Sequence, residues 1–382
     1  MTTLNYQQVR NEYQRAASQH IQLTTSSRTS HLDVILDVLG IAAVSQGSLD
    51  GACKNLHHAP TSSAVLYQLR KGWLEDSSLE QLESQLNKLL VARLPDYIRD
   101  NDHQVAIDLT FIPYHGQAHQ DEKEVRRSKA KSGTTHFHAY ASAYIIKKNK
   151  RVTVAVAYFQ AGESLLMLLK CLLKRLKELD IGVKRLLIDR HFASVQIIRH
   201  LEQQPWQSIM PVPARGKTLK QIKSSAKRSG QRQYTMTSSE EGSVTFTLHV
   251  VCKYSMGRRG KHGIDRLLFA VLGQPWSSSS FALAETYQRR FGVETSYRLM
   301  NSVRIHTTSR DPKLRLLFVI LAFFLLNLWV YLNWAILAIP RRGGRWLDQN
   351  LFRLKRFCNF LHHAIGDKRK IVLSVSQPTD VF

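Results

Sequence analysis

Three acidic residues far apart in the chain, Asp108, Asp189 and Glu294, have the side-chain chemistry that divalent cations require. Two-metal phosphoryl transfer uses acidic side chains from converging elements to hold two cations about 3.5–4 Å apart. Carboxylate oxygens suit Mg²⁺ because it is a hard cation that prefers oxygen ligands. If the fold brings these three side chains together, the sequence predicts a metal site.

The two aspartates interrupt or end apolar segments. Asp108 lies in the middle of a predicted strand, where a buried charge is costly unless it has a partner such as a metal ion. Asp189 ends a short buried strand, and ligands gather beyond the carboxyl ends of strands in open α/β sheets. An aspartate at a strand end also caps turns and helices. For either residue taken alone, the capping interpretation is equally supported.

Glu294 lies in a predicted helix, Ala284–Asn301. One face of that helix, within an arc of about 80°, carries an aromatic ring, two guanidiniums, a carboxylate and an amide. A solvated helix face can have the same composition, but the two aspartates upstream favour a metal-binding role. The residues on this face are Tyr287, Arg290, Glu294, Arg298 and Asn301.

The elements around these residues follow an order typical of α/β domains. Strands rich in β-branched and aromatic residues and amphipathic helices are predicted from the periodicity. In chain order they are strands Gln104–Pro113, His136–Lys147 and Val152–Phe159, a helix after Gly162, strand Lys184–Asp189, helix Ala193–Gln203 and strand Gln207–Val212. Three strands, a helix and a strand–helix–strand unit are the order of a ribonuclease-H-like α/β fold.

Other segments depart from this alternation. A basic loop is expected between the first two strands, over residues 122–133. Residues 214–280 predict a β-rich insertion that opens with a basic loop, Arg215–Arg232, with seven Lys or Arg and no acid.

The region before the first strand predicts an all-α domain. Residues 1–30 are polar without a clear period and predict a loose lead-in, whereas helical spacing runs from His31 to about Leu94. Within it, a helix N-capped by Thr61 or Ser62 ends in basic residues. Two interpretations stay open: a helix-turn-helix that reads DNA, or a packing domain with a solvated basic end.

An apolar stretch near the C-terminus, Leu316–Ile339, has 24 residues without a charge and is long enough to span a bilayer. Asn327 and Asn333 interrupt it, and a helix that is apolar all round can also be a buried core helix. Because the three carboxylates indicate an enzyme, the buried helix is the favoured interpretation.

The overall charge indicates a polyanionic partner. The 382 residues carry 54 Lys+Arg against 29 Asp+Glu, a net charge of +25. Nucleic acid is favoured over an anionic membrane surface because the basic residues are spread along the chain. The four cysteines have no zinc-ligand or redox spacing, and the polar N-terminus has no signal-peptide pattern. We therefore expect a cytoplasmic, nucleoid-associated protein.

Three motifs resemble those of the DDE transposases of prokaryotic insertion sequences, specifically the group with the YREK signature. They are DLT at Asp108–Thr110, DRHF at Asp189–Phe192, and the spacing Tyr287-x2-Arg290-x3-Glu294. The resemblance covers about residues 100–335 and includes a β insertion between the second aspartate and the glutamate. The first motif is short, and the other two are more specific.

The resemblance implies the roles of these residues. Asp108, Asp189 and Glu294 would bind two Mg²⁺ ions, for which Mn²⁺ would substitute. Tyr287 and Arg290 would contact DNA at the transposon end, and we add Arg190 of the second motif as a DNA-binding candidate. Water would attack a phosphodiester at the transposon end, and the freed 3′-OH would attack the target DNA. The implied partner is double-stranded DNA, bound by a homodimer that holds two ends, without membrane involvement.

Two positions need separate interpretation. The signature expects Lys where this chain has Asn301, and Arg298 on the same predicted helix face is a candidate substitute. Related enzymes often use a hairpin intermediate in which a flipped base stacks on an aromatic side chain. Trp276 is a candidate for that contact, although a packing tryptophan is the better supported interpretation.

The expected organisation is therefore a helical N-terminal domain over residues 1–97, a ribonuclease-H-like catalytic domain over 98–340, and a basic C-terminal tail over 341–382. Two alternatives to a transposase are a related nuclease or non-transposing DNA-binding protein, and a membrane-anchored basic protein built around residues 316–339.

Overall fold

The computed structural model describes residues 3–21, 23, 32–120, 123–147, 151–256, 262–342 and 344–374. The helices are α1 (Tyr6–Ser18), α2 (Leu32–Val44), α3 (Leu49–Lys54), α4 (Ser62–Leu69), α5 (Leu79–Val91), α6 (Asp96–Arg99), α7 (Leu165–Glu178), α8 (Val195–Glu202), α9 (Gly216–Ser225), α10 (Ser280–Gln288), α11 (Gly292–Asn301), α12 (Pro312–Leu332) and α13 (Leu354–Arg369). The strands are β1 (His103–Pro113), β2 (Arg126–Lys131), β3 (Thr134–Ile145), β4 (Val152–Phe159), β5 (Val183–Ile188), β6 (Gln207–Pro211), β7 (Gly230–Ser238), β8 (Gly242–Met256), β9 (His262–Gly273), β10 (Ile339–Arg341) and β11 (Gly344–Trp346).

The chain divides into two compact units. The helical unit comprises residues 1–96 together with 296–382, and the sheet unit comprises residues 97–295. The predicted boundary near residue 97 falls at this division. Residues 296–382 belong to the helical unit, where α12 packs on α5 and α13 packs on α1 and α2. The boundary at residue 340 stays a prediction.

The first helix of the helical unit corrects the expectation of a loose lead-in over residues 1–30. Helix α1 begins with a capping box in which Asn5 and Gln8 bond each other's backbone N–H groups. It buries Val9, Tyr13 and two alanines at helical spacing. The apolar period is present, but small alanines and a tyrosine among polar residues hide it. Residues 22 and 24–31 lie outside the described residues.

The predicted helix break around Pro60 is confirmed. Helix α3 ends at Lys54, and α4 begins after Thr61, whose hydroxyl accepts a hydrogen bond from the Ala64 backbone N–H at 3.3 Å. After α4 the chain continues as a π-helical turn, Arg70–Leu74. A DNA-reading role for this region stays a prediction.

The apolar stretch near the C-terminus forms α12, which is continued by a π-helical turn to Leu337. By length and composition this helix could cross a membrane, but 89% of its most apolar window is buried within the protein. Asn327 donates to the Leu90 carbonyl at 2.9 Å, and Asn333 donates to the Trp329 carbonyl at 2.9 Å. The expected burial is therefore confirmed, with α12 as a core helix of the helical unit.

The sheet unit confirms the predicted α/β class. Its nine-stranded sheet has the order β2-β3-β1-β5-β6-β9-β8-β7, with β4 also paired to β3. Strands β1, β5 and β6 are parallel neighbours, whereas β3 runs antiparallel to β1 and to β4. The series β4-β3-β1-β5-β6 is the arrangement expected of the ribonuclease-H-like core, with helices α7 and α8 packed on the sheet.

The predicted β-rich insertion continues this sheet and does not form a separate one. Strand β9 pairs antiparallel with β6, and β8 and β7 follow in turn.

The prediction of two basic loops is partly wrong, because each segment contains a regular element. Residues 216–225 form α9, because Leu219 can bury its side chain on the β9 side of the sheet unit. Residues 126–131 form β2, an edge strand whose backbone pairing with β3 needs no apolar side chains.

Candidate active site

Two neighbouring parallel strands place Asp108 and Asp189 side by side. In the register of β1 and β5, Ile107 lies opposite Ile188, and the residue that follows each of them is an aspartate. Both carboxylates are largely buried, with side-chain exposures of 13% for Asp108 and 11% for Asp189. The convergence predicted for these two residues is therefore present.

A single guanidinium joins the two carboxylates. Arg290 Nη1 lies 2.7 Å from Asp108 Oδ2, and Arg290 Nη2 lies 3.1 Å from Asp189 Oδ1. Arg290 is buried, and its Nε has no hydrogen-bond partner in the described part of the chain. A planar guanidinium suits this bridge because its nitrogens form a rigid fork of donors. The site thus has one cation held between two acids and one buried donor left over.

The remaining carboxylate oxygens have local partners. Asp108 Oδ1 accepts a hydrogen bond from the Leu109 backbone N–H at 2.8 Å. Asp189 caps the 3₁₀ turn Arg190–Phe192 and accepts from the His191 backbone N–H at 3.2 Å. The imidazole Nδ1 of His191 also contacts Asp189 Oδ2. Asp189 therefore has the capping role foreseen as an alternative and, at the same time, faces Arg290.

The electrostatics of this pair favour an additional cation. Burial raises the pKa of Asp108 to about 6; Arg290 opposes the rise, and the neighbouring Asp189 adds to it. Two carboxylates that share one guanidinium carry an excess of negative charge. A second positive charge at this position would stabilise both ionised acids.

Tyr287 belongs to the same cluster. Its hydroxyl donates to the Ile188 carbonyl at 3.3 Å, immediately before Asp189, and its ring packs 5.2 Å from the ring of Phe269. The guanidinium of Arg290 lies 5.5 Å from the Tyr287 ring centroid. Burial raises the pKa of the Tyr287 hydroxyl, so it remains a donor at neutral pH. Tyr287 and Arg290 are both buried, and their DNA contacts stay a prediction.

Glu294 lies in a different setting from the two aspartates. The predicted continuous helix Ala284–Asn301 is wrong: α10 ends at Gln288, a 3₁₀ turn covers Arg289–Phe291, and α11 begins at Gly292. The single polar face is thereby divided. Tyr287 and Arg290 are buried, whereas Glu294 in the first turn of α11 is exposed.

No group of three or more His, Cys, Asp and Glu side chains is arranged to hold a metal within the described residues. The structure therefore assembles two of the three predicted ligands, and the role of Glu294 stays a prediction. Arg298 is exposed in α11, and Asn301 accepts from Arg304 Nε at 3.4 Å. The proposed use of Arg298 in place of the signature lysine also stays a prediction.

Trp276 and Arg190 were the remaining candidates for DNA contact. Trp276 is half-buried, donates from Nε1 to the Ser279 carbonyl at 3.0 Å, and lies 4.9 Å from the guanidinium of Arg185. These are contacts of a packing tryptophan, and stacking on a flipped base stays a prediction. Arg190 is exposed beside Asp189 and lines a cavity with Tyr287.

The two aspartates supply oxygen donors of the kind that a divalent metal requires. Asp108 Oδ2 and Asp189 Oδ1 are hard oxygen donors that already converge on one positive group, Arg290. Asp108 and Asp189 would therefore hold such an ion from two adjacent strands. Arg290 would have to give up at least part of its contact with them.

A family model matches more than half of the chain. Residues 101–328 match the family model described as a transposase DDE domain, and this range contains Asp108, Asp189 and Glu294. The chain belongs to the DDE transposase family. DDE transposases generally use divalent metals, and DNA is their substrate.

A solved structure shows the same fold. The cryo-EM structure of piggyBac transposase in a synaptic complex with hairpin DNA is similar to this DDE transposase with a TM-score of 0.56. The sequences are 10% identical, and the alignment covers 95% of this chain and 79% of the other. At that identity the likeness concerns the fold alone. No curated protein matches the sequence.

The partners that organise the site are not evident from the sequence alone. The motif resemblance predicts a DNA-facing position for Arg290, whereas the structure turns the side chain inward onto two acids. His191 is a further functional residue, and its position two residues after Asp189 in the DRHF motif is the sequence signal that its imidazole could reach Asp189. The helix break at residues 289–291 had only Gly292 as a sequence signal, and one glycine is a weak one.

Proposed function

We propose that this DDE transposase hydrolyses a phosphodiester at the ends of a mobile DNA element and joins the freed 3′-OH to target DNA. Asp108, Asp189 and Glu294 would hold two Mg²⁺ ions for both steps, and Mn²⁺ would substitute. The observation that carries the proposal is the convergence of Asp108 and Asp189 on one cation from neighbouring parallel strands. When bound, such ions activate a water and stabilise the leaving oxygen.

The protein's own residues have separable tasks. Asp108 and Asp189 are positioned by β1 and β5, which form the rigid centre of the sheet. Asp189 Oδ2 is oriented by the His191 N–H groups, which leaves Oδ1 directed towards Arg290. Glu294 supplies the third carboxylate from the first turn of α11.

Arg290 has two roles in this proposal. Without metal it neutralises part of the charge on Asp108 and Asp189. With metal and DNA bound, its guanidinium turns to a phosphate of the transposon end, where its Nε finds an acceptor. A guanidinium matches a phosphate because both can form two parallel hydrogen bonds.

Cleavage and joining assays on oligonucleotides that carry the element's terminal inverted repeats test the proposal. Asp108→Asn, Asp189→Asn and Glu294→Gln should each lower the cleavage rate roughly a thousandfold or more in Mg²⁺ or Mn²⁺. Matched controls are Asp100→Asn and Glu285→Gln, which neutralise exposed acids of the sheet unit. Both controls should retain cleavage.

Each outcome has a distinct meaning. Full cleavage by Asp108→Asn or Asp189→Asn would overturn the proposal. Loss in those variants with full cleavage by Glu294→Gln would remove Glu294 from the ligand set. Cleavage without joined product would favour the nuclease alternative.

The assembly and location belong to the same proposal. Two transposon ends must be cut together, so the protein acts as a homodimer on DNA, and its charge of +25 keeps it at the nucleoid. Light scattering of the protein with and without terminal-repeat DNA checks the dimer. Cell fractionation should release the protein with salt, whereas retention by membranes in high salt would favour the membrane-anchored alternative.

A further inference from the structure

A continuous depression lies beside the candidate active site in the sheet unit. It consists of two cavities of about 630 Å³ and 440 Å³ that share five lining residues. We call it the basic groove. The shared residues are Ala214, Lys223, Arg266, Leu267 and Gln288.

One end of the basic groove is lined by two neighbours of the candidate carboxylates. Tyr287 and Arg190 line the smaller cavity. The Tyr287 hydroxyl bonds the carbonyl of Ile188, and Arg190 directly follows Asp189 in the chain. A polymer lying in the groove would therefore contact Arg190 and Tyr287, which adjoin Asp189.

The other end has more basic than acidic side chains. Lys220 and Lys223 project from α9, and Lys253 comes from β8. Among the described residues none of these three lysines forms an ion pair, and Asp265 is the one acid in the lining. Arg266 is already engaged, since its Nε donates to the Ala226 carbonyl at 2.7 Å. The free lysines make this end a site for a polyanion.

The lining near the active site is apolar and partly aromatic. Phe291 lines the smaller cavity with a side chain that is 50% exposed, and Leu268 and Phe269 lie in the same lining. A DNA duplex hides the faces of its bases, so an exposed aromatic ring would have no base face on which to stack. A single strand presents phosphates on one side and base faces on the other, which matches lysines combined with an aromatic side chain.

We propose that the basic groove binds one DNA strand where it continues past the phosphodiester held at Asp108 and Asp189. Lys220, Lys223 and Lys253 contact successive phosphates, and Phe291 stacks on a base. The identity of this strand as the transposase substrate rests on the proposed function above. Binding of single-stranded DNA to the basic groove is independent of the proposed function.

The test measures DNA binding without catalysis. The full chain is titrated in EDTA against a fluorescent 20-nucleotide single strand of mixed sequence and against the corresponding duplex, over a range of salt. The triple variant Lys220→Ala, Lys223→Ala, Lys253→Ala should lose roughly tenfold to a hundredfold in single-strand affinity. The slope of log affinity against log salt is negative, and its magnitude should decrease by about 2, because each lost phosphate contact on single strands accounts for about 0.7.

The matched control removes the same charge elsewhere in the sheet unit. Lys170→Ala, Lys177→Ala, Lys184→Ala changes three exposed lysines that do not line the basic groove. This control should keep single-strand affinity within about twofold. An equal loss in both triple variants would show general charge attraction and would overturn the proposal. A loss confined to the duplex would overturn the assignment to a single strand.

A second pair of variants tests the stacking contact. Phe291→Ala should lower single-strand affinity by roughly fivefold or more without changing the salt slope, and Phe291→Trp should restore it. Unchanged affinity in Phe291→Ala would remove the base contact from the proposal. Because no measurement here needs cleavage, loss of groove binding and failure of the catalytic proposal give different results.

Discussion

Two buried clusters of aspartate and arginine in this protein differ in their charge balance. In the helical unit, Asp37 accepts from Arg10 Nη2 at 2.7 Å and from Arg369 Nε at 2.7 Å, and Arg369 also pairs with Asp33. Two acids there meet two guanidiniums. In the sheet unit, one guanidinium, that of Arg290, bridges Asp108 and Asp189, and His191 also contacts Asp189.

The difference fits a structural role for the Asp37 cluster and the proposed metal-binding role for the Asp108 cluster. Asp37 is fully buried, and its oxygens have further support from Gln14 Nε2 at 2.7 Å. Such a cluster ties three helices, α1, α2 and α13, together and needs nothing more. Within the described part of the chain, the Asp108 cluster sets two carboxylates against one guanidinium, and Arg290 Nε has no hydrogen-bond partner. Its missing components are a cation and an acceptor, which a metal ion and DNA would supply.

The largest expected difference is in stability. Asp37→Asn should lower the free energy of unfolding by about 3–5 kcal/mol, because it leaves buried guanidiniums without their counter-charge. At pH 7 in EDTA, Asp108→Asn should change it by less than about 1 kcal/mol, because it also removes repulsion from Asp189. Urea denaturation checks both. Equal losses would show that the two clusters have the same structural role.

The next effect is stabilisation by metal. At a concentration about a hundred times the dissociation constant, Mn²⁺ should raise the free energy of unfolding of the wild type by about 2.7 kcal/mol. The double variant Asp108→Asn, Asp189→Asn should gain almost nothing. Asp33→Asn, which changes an acid of the Asp37 cluster, is the control and should gain as much as the wild type. A full gain in the double variant would place the metal elsewhere.

A smaller effect is expected from pH. Because the pKa of Asp108 is raised to about 6 in the folded protein, the unfolded chain ionises this group first. The extra stability of the wild type over Asp108→Asn is therefore largest below about pH 4 and is lost as the pH rises through 6. The loss should reach roughly 2–3 kcal/mol, at 1.36 kcal/mol per unit of pKa shift. Urea denaturation in EDTA at several pH values checks this, and a rise in relative stability over the same range would contradict it.

Much of the sheet unit followed from sequence pattern. The strands around Asp108 and Asp189 were predicted within two residues, because period and composition are strong in β1, β3, β4 and β5. The meeting of the two aspartates followed from the parallel arrangement of adjacent strands.

The rest depends on tertiary contacts that a local pattern does not encode. Helix α9 is held by a few apolar residues in a basic segment, and α1 by alanines that look neutral in the sequence. The inward turn of Arg290 depends on a 3₁₀ break between α10 and α11. That break also separates the buried half of the signature from the exposed Glu294.

Anomalous diffraction from Mn²⁺ in crystals of the protein bound to terminal-repeat DNA tests the central claim most directly. Peaks should lie about 2.0–2.4 Å from carboxylate oxygens of Asp108, Asp189 and Glu294, with Arg290 displaced from the two aspartates towards a phosphate. A DNA complex with Mn²⁺ bound only at other residues, and Arg290 still bridging Asp108 and Asp189, would contradict the account.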